Sequence, residues 1–368
     1  MRAKVDARDF IRALDKVSGL IRKSAIPVLE AVLVRFERDH CTLTSTNLDT
    51  YLSMELPAQC DDFAFLLGRP RETARAFRQF EGELVLEQTE TGEGIRRQIK
   101  LTLSCGARSA LLHPFLPEDF PRYPVWEPKD SFDANAARLY GRVEQIRYAV
   151  GIPCKKETDR ACRINIQLSG NRVHAVDGYR MAWDIDPELD VPRPFMAAPD
   201  ALEHLKLFGG QRVSIQMGDR FAKVTDGAMT LLFRLAEGEL FKMDSAIPAS
   251  FETQFQVCPK EFLDELDYLK RALRGKNHHL VRFSGGNLLA ESQGEQYATK
   301  VRVDGDGNVT FGFNLAFMAD ALEQFKKEPF VNVKISRGSI SPIILEAEGR
   351  NDHAMVLPVR LRESAAAA

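Results

Sequence analysis

The stretch from Val32 to Asn47 reads VLVRFERDHCTLTSTN and alternates apolar with polar residues on both sides of a polar turn, Arg38-Asp39-His40. Two runs of period 2 joined by a short polar turn predict an antiparallel hairpin with one buried face. The same form returns in RINIQLSGNRVHAVDG from Arg163, with its turn at Ser169-Gly170-Asn171, and in LVRFSGGNLLAESQG from Leu280, with its turn at Ser284-Gly285-Gly286. The chain therefore repeats one hairpin three times, at a spacing of about 120 to 130 residues.

An amphipathic helix precedes each hairpin. In VDARDFIRALDKV, Asp6 is placed to cap a helix whose apolar face carries Phe10, Leu14 and Val17. The two later helices have comparable stripes, Leu139, Val143, Ile146 and Val150 in one and Phe262, Leu266, Leu269 and Leu273 in the other. The hairpins are thus introduced by similar helices.

A second helix follows each hairpin, in PRETARAFRQF from Pro70, APDALEHLKLF from Ala198 and NLAFMADALEQFKK from Asn314. A helix–strands–helix–strands unit of this length is typical of a domain, because solenoid repeats are far shorter. The sequence therefore predicts three similar α+β domains, each with two helices packed on antiparallel sheets. The expected bounds are 1–124, 125–249 and 250–368, near the proline-rich PRYPVWEPKD and just after Ile247-Pro248-Ala249-Ser250.

Composition excludes several classes of protein. At 368 residues the chain exceeds one ordinary core, and it has neither an apolar run of membrane-spanning length nor an N-terminal leader, which predicts a cytoplasmic protein with no membrane partner. The GxGxxG, Walker, HExxH and GxSxG motifs are absent from the sequence. The alternative that the protein is an enzyme therefore has no recognisable set of catalytic residues to support it. Neither a disulfide framework, a metal site nor a cofactor is predicted from the six scattered cysteines, Cys41, Cys60, Cys105, Cys154, Cys162 and Cys258.

Basic residues are concentrated on the predicted helices. The chain has 50 Lys and Arg against 52 Asp and Glu, so any binding of nucleic acid has to come from local sorting of charge. Arg71, Arg75 and Arg78 share one face of the second helix, and Arg138 and Arg142 lie one turn apart on the next. Such runs can be solvated faces that complement the helix dipole. Their repetition favours a positive surface that binds phosphate without reading sequence.

Six motifs in register resemble the bacterial DNA polymerase III beta subunit, the beta sliding clamp family. They are RKSAIPVLEAVLV from Arg22, LPEDFPRYP from Leu116, AVDGYRMAW from Ala175, RLAEGELFKMDSAIP from Arg234, FGFNLAFMADAL from Phe311 and VLPVRL from Val356. Each motif alone is weak, and AVDGYRM by itself reads as an ordinary hairpin turn. Together they cover nearly the whole chain in order, which makes the resemblance specific.

The resemblance implies a non-catalytic accessory subunit that forms a head-to-tail homodimeric ring around double-stranded DNA. The implied partners are the DNA polymerase III alpha subunit, the clamp loader and other proteins with a clamp-binding motif. Residues expected to face DNA, in part from the family's loops and in part from the charge pattern, are Arg22, Lys23, Arg71, Arg75, Arg78, Arg142, Lys155 and Lys156. At the implied dimer contact, Ala110 and Leu112 would meet Ala272 and Leu273 of the partner subunit.

A client-peptide cleft between the second and third domains is also implied. Its expected residues are Ile164, Val176, Gly178, Tyr179, Arg180, Met181, Phe241, Ala246, Asn314, Phe317, Ser341, Met355, Val356, Leu357, Pro358 and Val359. Phe241 stands where the family has proline, and Tyr179 where it has histidine. These departures leave open a second interpretation, a clamp paralogue with altered or lost clients. The final RESAAAA is either a native tail or an added remnant.

Overall fold

A computed structural model describes residues 1–92, 97–152, 160–273, 280–292, 294–336 and 340–361. In these residues a similar order of elements recurs three times: a strand, a helix, four or five strands, a helix and three strands, with one additional short helix in the second repeat. The first repeat consists of β1 Arg2–Asp6, α1 Ala7–Val17, β2 Val32–Glu37, β3 His40–Thr46, β4 Thr50–Pro57, the two-residue β5 Gln59–Cys60, β6 Phe63–Leu67, α2 Pro70–Ala76, β7 Glu83–Thr91, β8 Gln98–Cys105 and β9 Arg108–Leu112.

The later repeats follow the same order. The second consists of β10 Asp130–Asn135, α3 Ala136–Ile146, the short α4 Ala161–Ile164, β11 Ile166–Gly170, β12 Arg172–Val176, β13 Arg180–Ile185, β14 Val191–Ala197, α5 Pro199–Glu203, β15 Arg212–Met217, β16 Phe221–Thr225 and β17 Met229–Arg234. The third consists of β18 Thr253–Val257, α6 Pro259–Ala272, β19 Leu280–Ser284, β20 Asn287–Ser292, β21 Glu295–Lys300, the two-residue β22 Asp304–Gly305, β23 Thr310–Asn314, α7 Leu315–Glu323, β24 Val331–Ile335, β25 Ile343–Glu346 and β26 Asp352–Val356.

The three predicted hairpins are confirmed, as the antiparallel pairs β2–β3, β11–β12 and β19–β20. In the first, Arg38 and Asp39 both have positive φ, 51° and 63°. A two-residue turn of this kind matches the right-handed twist of the strands it joins. The first helix also begins as predicted, because Asp6 Oδ1 accepts a hydrogen bond from Asp9 N at 3.0 Å. Local turn and cap chemistry therefore places these elements.

One compact unit of the chain comprises Met1–Arg138 and His204–Leu235. It contains a five-stranded sheet in the order β5-β1-β7-β8-β9 and an eight-stranded sheet in the order β10-β15-β16-β17-β4-β3-β2-β6. The eight-stranded sheet joins two repeats, because β4 of the first pairs antiparallel with β17 of the second, Tyr51 lying opposite Leu232. Sheet continuity thus crosses from one repeat to the next.

The other compact unit comprises Leu139–Glu203 and the chain from Ala236 onward. Its nine-stranded sheet has the order β14-β11-β12-β13-β26-β25-β24-β18-β22, and its four-stranded sheet the order β21-β20-β19-β23. Here β13 of the second repeat pairs with β26 of the third, Met181 lying opposite Met355. The two units share the middle repeat between them, and the three-domain division stays a prediction.

The second helix of each repeat is shorter than the sequence predicted, and α7 ends at Glu323. Helix α2 ends at Ala76, and its chain continues in a turn where Phe80 N donates to Phe77 O at 2.8 Å and the two rings stack 4.7 Å apart. Helix α5 ends at Glu203 and gives way to a 3-10 turn, His204–Phe208. Within the described ranges, none of the helices has the length and apolar character needed to cross a bilayer.

Candidate functional site

A cavity of about 380 Å³ lies where the end of β12, the start of β13 and the end of β26 meet, in the unit that begins at Leu139. We call it the Gly178 pocket. Its lining residues are Arg160, Cys162, Arg163, Val176, Gly178, Arg180, Phe241, Ala246, Met355 and Leu357. The pocket has an apolar interior and arginines around it, a combination that suits a small amphipathic ligand or peptide.

The turn between β12 and β13 builds one side of the pocket. Asp177 Oδ1 accepts hydrogen bonds from the backbone N–H groups of Tyr179 and Arg180, at 2.8 and 2.9 Å. Gly178 has a φ of +93°, and a Cβ added there would come within 3.1 Å of the guanidinium carbon of Arg163. The backbone conformation therefore favours glycine at this position, and a larger residue would also require the Arg163 guanidinium to shift.

Arg180 is fixed by two carboxylates, so it acts as a platform more than as a free charge. Its Nε donates to Asp177 Oδ2 at 2.9 Å, and its Nη1 donates to Asp320. The guanidinium carbon lies 4.8 Å from the centre of the Phe317 ring, which in turn stacks on Tyr179 at 5.9 Å. The mouth of the pocket thus carries an ordered aromatic and guanidinium stack.

Methionine and other apolar side chains form the floor. Met181 and Met355 lie opposite each other on β13 and β26, and both belong to a buried cluster that includes Val176 and Met243. The backbone N–H of Leu357 donates to Tyr179 O at 2.9 Å, which holds the chain after β26 against the turn. Because methionine side chains adapt their shape, such a floor accepts different apolar anchors.

The remaining wall comes from the segment after β17, which is clasped by a single glutamine. Gln167 Oε1 accepts from Phe241 N at 2.9 Å, and Gln167 Nε2 donates to Phe241 O at 3.3 Å. Arg172 forms an ion pair with Asp244 further along the same segment. Phe241 is therefore held in place and adds an aromatic wall where the resembling family has proline.

Arg160 and Arg163 lie exposed at the mouth, and the sequence motifs did not predict them. Among the described residues neither guanidinium has a carboxylate partner within ion-pair distance. Arg180 is already neutralised, so within the part of the chain that the structure describes these two residues supply the positive charge of the pocket that has no carboxylate partner. They favour a ligand that combines an apolar anchor with a carboxylate.

His174 supports the Phe241 wall and predicts a pH dependence of stability. Its ring lies 6.3 Å from that of Phe241, and within the part of the chain that the structure describes neither ring nitrogen has a hydrogen-bond partner. Burial, assisted by the nearby Arg172, lowers the pKa of His174 to about 4. The unfolded chain, with a histidine pKa near ~6.5, therefore binds a proton that the folded chain rejects between these pH values.

We expect the free energy of unfolding to fall as the pH decreases from about 6.5 towards 4, by ~1.4 kcal/mol for each pH unit. Urea denaturation at pH 6.5 and pH 5 should then show a loss of about 2 kcal/mol from this residue. His174→Phe should remove that part of the loss, whereas His40→Phe, at an exposed histidine, should leave it unchanged. An equal pH dependence in wild type and His174→Phe would contradict the assignment.

Seven of the predicted cleft residues line the Gly178 pocket: Val176, Gly178, Arg180, Phe241, Ala246, Met355 and Leu357. Met181 is buried in the cluster that contains Val176 and Met355, Val356 is buried in a different core cluster, and Tyr179 and Phe317 stack on each other. Asn314 caps α7 by accepting from Ala316 N and Phe317 N, so its side chain serves the helix. Ile164, Ser341, Pro358 and Val359 are not among the residues that line this cavity.

The exposed cations of the first unit include most of the residues predicted to face DNA. Arg75, Arg78 and Lys23 are exposed. Arg22 is exposed as well and donates to Gly19 O at 2.8 Å, while Arg71 donates to the carbonyls of Ser18 and Ile21. Lys155 and Lys156 lie outside the described residues. That these side chains face DNA stays a proposal.

Arg142 does not have the exposure that its helix position suggested. Its side chain is only 15% exposed and forms ion pairs with Asp184 and, at 2.9 Å from Nε, with Asp186. Desolvation raises the pKa of Asp184 to about 6, although Arg142 opposes this shift. Because its charge is buried and matched, Arg142 is not available to phosphate, and its prediction as a DNA-facing residue is wrong.

The residues predicted for the dimer contact differ in their exposure. Ala110 and Leu112 are partly buried on β9, Leu111 between them is 58% exposed, and Ala272 is partly buried at the end of α6. Leu273, however, is 4% exposed and packs in the core of its own chain with Phe262, Leu266 and Leu269. It cannot also be a contact residue of the partner subunit, so this part of the prediction is corrected.

Comparison with known proteins agrees with the fold. The chain is 22% identical over 375 residues to the beta sliding clamp of Pseudomonas aeruginosa, an alignment that covers 98% of this chain and all of the relative, and 22% identical over 381 residues to that of Vibrio cholerae, with the same coverage. The crystal structure of the DNA polymerase sliding clamp from Caulobacter crescentus superposes with a TM-score of 0.82 at 19% identity, over 98% of this chain and 100% of that one. No protein-family profile matches the sequence.

The three-fold repeat and its shared sheets are those of a DNA sliding clamp, and the chain has that fold. Among such clamps it resembles the bacterial DNA polymerase III beta subunit along nearly its whole length, as its sequence motifs predicted.

Proposed function

We propose that this chain is a DNA sliding clamp, a non-enzymatic processivity factor that encircles duplex DNA and tethers the replicative polymerase. The proposal is carried by one observation, the way in which strands join successive repeats. At each of the two junctions inside the chain, the strand that follows the hairpin of one repeat pairs with the last strand of the next repeat. These pairs are β4 with β17 and β13 with β26. The same junction can be formed once more.

The two strands needed for a third junction lie at sheet edges. They are β9, the last strand of the first repeat, and β21, the strand that follows the hairpin of the third repeat. Since both belong to one chain, β21 of one copy can pair with β9 of another, and two such junctions close a head-to-tail homodimer. A ring of six repeats is the assembly that this arrangement favours.

Several other sheet edges are protected. Edge strand β14 contains Pro192 and Pro194, and β6 and β23 each receive a bridging residue, Phe115 and Val359 respectively. In the described residues, β9 and β21 have neither a proline nor such a bridge. An open edge that exposes Leu111 would invite aggregation unless a second copy covers it.

Sequence-independent binding to double-stranded DNA follows from the exposed cations Arg22, Lys23, Arg75 and Arg78 in a chain of net charge -2. Individual phosphate contacts of exposed arginines are weak and salt-dependent. Enclosure by a ring, and not tight contact, would then keep the protein on DNA while it slides. Arg142 is not part of this set, for the reason given above.

The Gly178 pocket would receive the client peptides of the DNA polymerase III alpha subunit, the clamp loader and other proteins with a clamp-binding motif. Its apolar floor fits a hydrophobic anchor, and Arg160 and Arg163 fit an acidic residue beside that anchor. We place the protein in the cytoplasm, where its DNA and clients are found.

Loading onto nicked circular DNA by a clamp loader, followed by linearisation of the circle, tests the proposal. The protein should co-elute with circular DNA through a sizing column at a salt concentration that abolishes ordinary phosphate contacts, and it should be lost once the circle is cut. The control is the same DNA cut to a linear form whose two ends carry bulky blocking groups. These groups should prevent a ring from sliding off. Equal retention on intact and cut DNA would contradict topological linkage.

A further inference from the structure

A second cavity, of about 700 Å³, lies in the unit that begins at Met1. It opens between the loop that follows α1 and the start of α2, and Phe115 forms part of its wall. We call it the Phe115 pocket. Its volume is in the range of sites that hold a small organic ligand of nucleotide size.

Phe115 is held rigidly although its ring is exposed. Its backbone exchanges two hydrogen bonds of 2.9 Å with Leu66, which extends the β6 edge by one bridge. The ring is nevertheless 60% exposed, and it passes so close to Gly68 that a Cβ there would lie 2.9 Å from its Cε2 atom. Glycine at position 68 thus permits an aromatic face to stand open to the cavity.

The rim of the pocket has an excess of positive charge. Four cationic residues, Arg22, Lys23, Arg69 and Arg71, line it against two carboxylates, Glu30 and Glu72.

Both carboxylates and all three arginines have partners, and Arg22 donates to Gly19 O at 2.8 Å. Glu30 accepts from Ser24 N at 2.8 Å, and Glu72 lies 3.8 Å from Arg69. Arg71 donates to the carbonyls of Ser18 and Ile21, which fixes its guanidinium but leaves its charge unneutralised. Among the described residues, Arg22 and Lys23 are exposed and have no carboxylate partner, and they line the same cavity as the Phe115 ring.

We propose that the Phe115 pocket binds an unpaired nucleotide of single-stranded DNA, with its phosphate at Arg22 and Lys23 and its base stacked on Phe115. Cations along a groove combined with an exposed aromatic ring are the features by which proteins hold single strands without reading their sequence. In a duplex each base face is covered by its neighbours, so a ring inside a cavity reaches only a base that has left the stack. This binding goes beyond the enclosure of duplex DNA.

Fluorescence anisotropy with a labelled oligothymidylate of about 15 nucleotides tests the proposal on the full-length protein. Phe115→Ala should weaken binding of the oligonucleotide by about five- to a hundredfold, the range expected for the loss of one stacked base. Phe330→Ala, at a phenylalanine 51% exposed in the other unit, is the matched control and should bind like wild type. Lys23→Ala should weaken binding and reduce the dependence on salt by roughly one phosphate contact.

Two further measurements keep the outcome clear. The oligomeric state of Phe115→Ala should match that of wild type, because the backbone bridge to Leu66 does not need the ring. Retention on circular duplex DNA should be unchanged as well, which separates this site from the proposed clamp function. Oligothymidylate affinity that is the same for wild type, Phe115→Ala and Phe330→Ala would overturn the inference, whether or not the protein behaves as a clamp.

Discussion

Leu111→Pro should convert the proposed head-to-tail dimer to a monomer. Strands β8 and β9 are joined by a two-residue turn, with Cys105 opposite Arg108. The residues that flank such a turn form a hydrogen-bonded pair, and bonded and non-bonded pairs then alternate. Arg108, Ala110 and Leu112 consequently bond to β8, while Ser109 and Leu111 direct their N–H and C=O groups to the open edge.

Proline at position 111 therefore removes a donor that only a second copy can use. We expect the dimer dissociation constant to rise by about a hundredfold or more, since proline in a paired strand both removes a ladder hydrogen bond and obstructs the neighbouring strand. Sedimentation velocity over a range of protein concentrations measures the change. Leu111→Ala keeps the N–H and is the matched control, with a far smaller effect expected.

Circular dichroism and thermal unfolding should show that the Leu111→Pro monomer keeps its fold, because no hydrogen bond within the chain is lost. A folded variant that stays dimeric at nanomolar concentration would reject the pairing of β9 with β21. Substitution of Leu273 by a charged residue would not test assembly, because Leu273 is buried in the core beside α6 and a charge there would unfold that part of the chain.

Leu357→Asp should abolish client-peptide binding. Leu357 lines the Gly178 pocket with 36% of its surface exposed, so aspartate there is tolerated by the fold. A bound peptide would then press its apolar anchor against a desolvated carboxylate, which would also neutralise the arginines at the mouth. We expect the affinity for a labelled peptide from the clamp-binding segment of a DNA polymerase III alpha subunit to fall about a hundredfold or more.

Phe330→Asp introduces the same charge at an exposed apolar residue that is not part of the pocket lining, and it should leave peptide affinity unchanged. Equal affinity in wild type and Leu357→Asp would remove the Gly178 pocket from the client site. If the wild-type protein dimerises and is retained on circular DNA yet binds no such peptide, the clamp paralogue with altered clients becomes the better interpretation, and Phe241 is then the first residue to exchange for proline.

Periodicity predicted the elements of this fold well, because alternation and helical stripes report on burial directly. The stripe of α6 placed Leu273 with Phe262, Leu266 and Leu269, and the structure agrees, whereas the dimer contact inferred for Leu273 from the resemblance conflicted with that stripe. Arg142 failed for a different reason. Its partners Asp184 and Asp186 lie more than forty residues away along the chain, and spacing within one helix says nothing about them.

In the Gly178 pocket, too, the sequence predicted some of the lining residues and not others. The turn that contains Gly178 and the apolar strand ends could be found from sequence motifs. Arg160 and Arg163 could not, since only the close approach of Arg163 to Gly178 brings them to the mouth. Their one signal in the sequence was a basic run before β11, which by itself reads as a solvated loop.

The clasp of Gln167 on the backbone of Phe241 has a consequence for how clients compete. Because both hydrogen bonds are made within the free protein, the aromatic side of the docking site is shaped before a ligand arrives. On association, conformational entropy is then lost mainly by the client peptide and not by the pocket. Client peptides that are already extended in solution should therefore bind with higher affinity than more flexible peptides that make identical contacts.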